Sequence, residues 1–209
     1  MEELPIISLA CNIVVVSGST IRFARGKQVP WKAALLVSLV AAPMAFLGGL
    51  TPVKEKTFLL LLGASLVLAG LSLLLPRAAE REGEPSALAR WMPLAAAPLG
   101  YLAGLVGIGG GIFLAPLLHL TRWDSARRIA ATTSLFILIN SITGLIGQLT
   151  KAGPERFAEA LGGALPLLIA VVIGGQLGSV LAIRFLPEKV IRWLTAALTI
   201  WAGTQLLLK

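Results

Sequence analysis

The chain has 209 residues, of which 56% are hydrophobic and 13% charged, and its mean hydropathy is +0.87. Soluble domains carry charge on about a quarter of their residues, so that class is excluded and an all-α polytopic membrane protein is expected. The formal charge of +8 does not point to nucleic acid, because the basic residues sit in short loops beside apolar segments, where they set topology. In chain order, six apolar segments read as ordinary spans: Leu4 to Phe23, Trp31 to Leu50, Lys56 to Leu75, Ile129 to Leu149, Ala160 to Phe185 and Val190 to Leu208. Segments of about 20 residues suffice to cross a hydrocarbon core of about 30 Å as helices. None alternates in period two, which argues against a membrane β-barrel.

A seventh apolar segment, Trp91 to Leu120, is interrupted by Gly107-Ile108-Gly109-Gly110-Gly111. Backbone that leaves the helix at membrane depth lines protein or a cavity rather than lipid, because its N–H and C=O groups need partners. The interruption is therefore the first candidate for a binding site. A single cysteine, Cys11, excludes a disulfide framework and any multi-thiolate metal site, and no cofactor is expected. The N-terminus carries Glu2 and Glu3 instead of a basic region, unlike a cleaved signal peptide.

The halves resemble each other at a shift of 126 residues, which aligns Ser8-Leu9 with Ser134-Leu135, Ile13 with Ile139, Gly18 with Gly144 and Gly48-Gly49 with Gly174-Gly175. At a shift of 133, Glu55-Lys56 meets Glu188-Lys189 and Ala69-Gly70 meets Ala202-Gly203. This divides the chain into a first repeat over 1–76, a polar linker over 77–90 and a second repeat over 91–209. Internal repeats are a common build for secondary transporters. The first-half counterpart of the glycine break would precede Met1, so the first repeat is expected to lack its broken hairpin.

Charge placement decides how the broken segment runs. If it crosses the membrane, Lys and Arg divide almost evenly between the two sides. If it dips in and returns, five fall on one side and thirteen on the other, a strong positive-inside pattern. A re-entrant hairpin follows, with Trp91 to Val106 descending, the glycines turning and Ile112 to Leu120 climbing back. Both termini then lie outside, and the two repeats are inverted relative to each other.

The stretch GYLAGLVGIGGGIFLAP, from Gly100 to Pro116, is followed by Ala130-Ala131-Thr132-Thr133-Ser134 and then Asn140-Ser141. This combination resembles the sulfite exporter TauE/SafE family of membrane transporters, and the resemblance covers nearly the whole chain. It implies a multi-pass transporter in the cell membrane for small anions such as sulfite, sulfonates or related organosulfur anions. The absent first glycine motif departs from the family pattern and leaves a second alternative, a truncated or accessory non-transporting subunit that requires a partner. A homodimer is one form this would take.

The residues themselves suit an anion. A half-helix N-terminus offers free N–H groups and a favourable dipole, and Gly107, Gly109, Gly110 and Gly111 let the backbone come close. Thr132, Thr133 and Ser134, with Asn140 deeper in the same span, supply neutral donors; Ser8 and Asn12 do so in the first half. The span hydroxyls, among them Ser17, Ser19, Ser141 and Thr143, have the alternative of bonding their own helix carbonyls, and Asn12 and Asn140 that of interhelical hydrogen bonding. No charged residue lies near the middle of a span, so a carboxylate-based coupling site is not expected. His119 is the only histidine and falls at the polar end of the half-helix. With no second histidine or acidic cluster beside it, no enzyme and no metal site are expected; the partners are the anion and membrane lipid.

Overall fold

The structure is a computed structural model that describes residues 3–74, 87–185 and 187–208. Among these, eight α-helices occur: α1 Glu3–Arg25, α2 Trp31–Leu50, α3 Glu55–Leu74, α4 Met92–Val106, α5 Gly111–Leu120, α6 Ala126–Ala152, α7 Pro154–Phe185 and α8 Glu188–Leu207. A short 3-10 turn, Ala87–Trp91, leads into α4. Most of the expected 77–90 linker lies outside the described residues. Five helices are long and apolar enough to span a membrane: α1, α2, α3, α6 and the Pro154–Gly175 part of α7.

Helix ends follow local chemistry. The α1 and α5 C-termini close with 6→1 bonds, Gln28 N–H to the Phe23 carbonyl and Trp123 N–H to the Leu118 carbonyl, both at 3.0 Å. The left-handed residue of each turn is a cation, Lys27 (φ 52°) and Arg122 (φ 49°), at the end of a helix where positive charge is favoured. Gly153, at φ +84°, ends α6. Helix α7 then begins at Pro154 rather than Ala160, because proline at the first helical position forgoes only an N–H that has no partner there.

The chain forms two compact units. The first contains α1, α2, α4, α5, α6 and the start of α7; the second contains α3, α8 and the end of α7. In the first unit α6 is central, touching α1, α2, α4 and α5. Small residues permit the close approach, as is usual where helices associate within lipid. A Cβ on Gly100 or Gly104 would collide with the carbonyls of Ala41 or Ala45, and one on Gly147 with the carbonyl of Phe46.

These contacts fix directions. Advancing along α2 from Ala41 to Ala45 advances along α4 from Gly100 to Gly104, so the two helices are parallel. Met92 and Ala96 of α4 share one core cluster with Ile129 and Phe136 of α6, while Gly104 meets Gly144 and Gln148 further on, so α4 and α6 are also parallel. Two successive parallel helices require the chain between them to return. Helix α5 does this, since its Leu114 and Leu118 belong to the cluster at the start of α4 and α6. The glycine-broken segment is thus a hairpin whose two ends lie at the same end of the unit. By contrast, α1 is antiparallel to α6, with Leu9 near Gly144 and Ser19 near Ser134.

In the second unit α3 and α8 pack through small residues. A Cβ on Gly63 would lie 2.9 Å from the Gly203 carbonyl oxygen, and one on Gly70 would lie 3.0 Å from that of Ala196. The pairing runs in opposite directions along the two helices, which are antiparallel.

Candidate functional site at the helix break

Helix α4 stops because Gly107 enters the left-handed region at φ 80°, while its N–H still reaches the Ala103 carbonyl at 2.9 Å. Gly109 (φ 76°) and Gly110 (φ 74°) reverse the chain. A side chain at either would be strained there, and only glycine adopts this conformation readily. Helix α5 starts at Gly111, where the N–H groups of Phe113 and Leu114 share the Gly110 carbonyl at 3.2 Å. The N–H groups of Gly111 and Ile112 precede these first intrahelical bonds.

The break is held from α1. Ser8 Oγ donates to the Gly107 carbonyl at 2.7 Å and Asn12 Nδ2 donates to the same oxygen at 3.2 Å. A Cβ on Gly107 would sit 2.9 Å from the Cα of Pro5. Ser8 and Asn12 therefore close the α4 C-terminus, and the hydrogen-bonding capacity that the sequence assigns to a ligand is here committed to backbone.

Helix α6 forms the opposite wall with Thr133, Ile137 and Ser141, four residues apart and so on one face. A Cβ on Gly109 would lie 3.0 Å from Ser141 Oγ and 3.3 Å from Asn12 Nδ2, and one on Gly111 would lie 2.9 Å from Thr133 Cγ2. Gly110 faces Phe136, Ala103 and Leu99. The hydroxyls of Thr133 and Ser141 are buried and have no protein partner.

The remaining candidates are placed differently. Asn140 is fully buried and donates to its own helix, to the Phe136 carbonyl at 2.8 Å, leaving Oδ1 without a partner. Thr132 is likewise fully buried with an unpartnered hydroxyl. Ser134 turns to α1, where its Oγ lies 3.5 Å from that of Ser19. Ser17 and Thr143 bond carbonyls of their own helices. Sequence reasoning left out Ile137 and Phe136, which fill the space between the glycines and α6; the i, i+4 spacing from Thr133 through Ile137 to Ser141 is the signal that finds the first.

Electrostatics distinguish the two ends of this unit. Where α1 ends, α2 and α4 begin, α5 ends and α6 begins, the exposed cations are Arg22, Arg25, Lys27, Lys32, Arg90, Arg122, Arg127 and Arg128. Asp124 lies among them, paired with Arg128 at 3.1 Å. Trp31 and Trp91 are exposed at the same end, with the Arg90 guanidinium 5.8 Å from the Trp91 ring centroid, as at a membrane–water interface. From Ile129 to Thr150, α6 carries no charge at all. Chemically, the break offers neutral hydroxyls and helix-terminal amides in a buried setting, with cations only at the rim.

Apolar spans, a hairpin that returns to its starting end and a backbone break inside protein define a multi-pass membrane protein built like a transporter. The chain belongs to the sulfite exporter TauE/SafE family, whose model matches residues 1–206. Among similar proteins, "Probable membrane transporter protein y4hK" of Sinorhizobium fredii is 31% identical over 210 residues, covering 96% of this chain and 81% of that protein. "Probable membrane transporter protein YunE" of Bacillus subtilis is 24% identical, covering 99% of this chain and 82% of that protein. A "Probable membrane transporter protein" of Xylella fastidiosa is 29% identical over 196 residues, covering 88% and 73% respectively. No solved structure shows a significant match.

Proposed function

We propose that this membrane transporter exports small anions, with sulfite, sulfonates or related organosulfur anions as the substrate class, across the cytoplasmic membrane. The single observation that carries the reading is the approach of α6 to the turn that opens α5: the buried, unpartnered Ser141 hydroxyl faces Gly109, and Thr133, whose hydroxyl is likewise buried and unpartnered, packs its methyl against Gly111. Helix-terminal amides and hydroxyls can bind an oxyanion without a permanent counter-charge, so the site can release what it binds.

In this reading Gly109, Gly110 and Gly111 contact the anion directly. Ser8, Asn12 and Gly107 hold the turn, and Thr132, Ser134 and Asn140 support the α6 wall. Direction follows from charge. With the cytoplasm negative, each negative charge leaving is favoured by about 2.3 kcal/mol per 100 mV, and the basic end gathers anions from the cytoplasmic side. Alternating access between inverted repeats, 1–76 and 91–209, suits the helix directions. At the shift of 126, α1 corresponds to α6; at 133, α3 corresponds to α8; and each pair is antiparallel.

The test is substrate-dependent thermal stabilisation of the purified chain across sulfite, sulfate, sulfonates and carboxylates, followed by flux in proteoliposomes at both signs of imposed potential. Stabilisation by sulfite or sulfonates with potential-driven efflux supports the proposal. Accumulation against an adverse potential removes the uniport version. Binding without flux by the chain alone would instead assign it the role of an accessory subunit.

A further inference from the structure

Helix α6 carries more unmet polar chemistry than the glycine break uses. Thr132 Oγ1, Thr133 Oγ1, Asn140 Oδ1, Ser141 Oγ and Gln148 Oε1 are all buried and without a protein hydrogen-bond partner. Their side chains are between 0% and 8% exposed. On the same helix, Thr143 and Thr150 follow the other course and bond the carbonyls of Ile139 and Ile146, four residues back. Local back-bonding is therefore open to hydroxyls on this helix, yet Thr132, Thr133 and Ser141 do not use it.

From Thr133 to Gln148 the helix rises about 22 Å, most of the roughly 30 Å hydrocarbon thickness. Between those ends the glycine break covers only the stretch from Thr133 to Ser141. Gln148 stands beyond it, its Nε2 donating to the Gly104 carbonyl at 3.3 Å while Oε1 is left over. Around it Gly49, Gly144 and Gly147 replace side chains with backbone, so a small separation of α2 from α6 would open space beside Gln148. Lipid cannot satisfy any of these atoms; water or a hydrated solute can.

We infer that the face of α6 carrying Thr133, Asn140, Ser141 and Gln148, which share an arc of about 100° on the helix, is the wet wall of the translocation path, running from the basic end past the glycine break to Gln148, and that water and then the anion meet these polar atoms in turn. The inference rests on the transport reading and extends it to Gln148, which lies outside the contacts of the break. Gln148 is on this view an exit contact: its amide oxygen holds a water that hydrates the departing anion.

Cys11 is the sole cysteine, so Cys11→Ser gives a cysteine-free background in one step. In that background, single cysteines are placed at Thr133, Ser141 and Gln148, and as controls at Ile142 and Ile146, which are 42% and 49% exposed on the outer face of α6. Proteoliposomes are treated with a charged, membrane-impermeant methanethiosulfonate. Because the reaction needs a thiolate, which forms in water and not in lipid, the track positions are expected to react at least about tenfold faster than the controls. Rates at Thr133→Cys, Ser141→Cys and Gln148→Cys no higher than at Ile142→Cys and Ile146→Cys overturn the inference. Ser141→Cys exchanges only a hydroxyl for a thiol and Thr133→Cys does so with loss of one methyl, so they decide the matter if the Gln148 variant does not fold. Methanesulfonate is added in a parallel arm. Fast labelling without protection at Thr133→Cys and Ser141→Cys retains the track and removes the anion site, whereas slow labelling removes the track whatever the anion does.

Discussion

The Ser8 hydroxyl donates to the Gly107 carbonyl across 99 positions of sequence, at 2.7 Å, and so closes the α4 C-terminus with a side chain from α1. Asn12 shares that oxygen. Because Gly107 is buried, losing one donor leaves the other in place, while losing both leaves a bare carbonyl. Ser8→Ala and Asn12→Leu are each expected to cost about 1 kcal/mol, and the double variant about 1–3 kcal/mol more than the sum of the two. Denaturant unfolding in detergent micelles measures this. Strict additivity would mean that the carbonyl finds another partner.

Gly110→Ala adds a Cβ at φ +74°, 3.0 Å from both Ala103 Cβ and Phe136 Cε1. Gly153→Ala adds one at φ +84° with nothing within 4 Å, so it carries the backbone strain alone. Gly110→Ala is expected to lose about 1–2 kcal/mol from the left-handed conformation, and Gly153→Ala about 1–3 kcal/mol, because φ +84° with ψ 160° is a conformation that glycine alone adopts readily. Only Gly110→Ala, and more completely Gly110→Leu, should also abolish stabilisation by the anion. Thermal shift with and without sulfite separates the two effects.

Thr133→Val and Ser141→Ala remove hydroxyls that have no partner in the protein. An unmet buried hydroxyl contributes nothing to stability, so unfolding should shift by less than about 1 kcal/mol or move upward. Anion affinity should nonetheless fall about tenfold or more, the usual magnitude for a hydrogen bond to a charged group. A large loss of stability with unchanged affinity would show that these hydroxyls are structural.

Gly48 and Gly174 align in the internal repeat, yet their surroundings differ. A Cβ on Gly48 would collide with the Tyr101 carbonyl, whereas one on Gly174 meets nothing within 4 Å. Gly48→Leu is expected to reduce the yield of folded protein severely, since overpacking of this kind costs about 1–3 kcal/mol or more. Gly174→Leu should be tolerated. Size-exclusion profiles of the two variants in detergent provide the comparison.

The cations from Arg22 to Arg128 at the end where the hairpin begins and finishes are exposed, so their attraction for anions is screened by salt. The apparent KM for anion entering from that side should rise with ionic strength while kcat holds, because steering acts on encounter. Replacing Arg122 and Arg127 with Gln should flatten the dependence. A salt-independent KM would remove the steering role.

Much of the architecture was legible in the residues. Hydropathy placed the helices: five of the six expected spans, all but Val190 to Leu208, fall on helices long and apolar enough to cross a membrane, and the bounds of Trp31–Leu50 agree to the residue. Elsewhere the ends moved, because capping rather than hydropathy ends a helix: Gly153 and Pro154 bring the start of α7 six residues forward. Lys and Arg placement gave the re-entrant course of the broken segment, which the parallel run of α4 and α6 independently requires. The candidate site was only partly legible. The glycines announced themselves; Ser8 was read as a ligand contact and Asn12 as either a ligand contact or an interhelical hydrogen bond, and in the structure both donate to Gly107.

By itself the sequence determined that this chain lives in a membrane, where its helices lie and which segment must break, because these follow from local chemistry: apolar length, glycine at left-handed positions and cations in short loops. Only the tertiary structure decided which polar groups remain unspent. A hydroxyl on a helix has two uses, its own i−4 carbonyl or a neighbour, and the choice depends on what packs against it. Thr143 takes the first course; Ser141, set against Gly109, takes neither and stays without a protein partner.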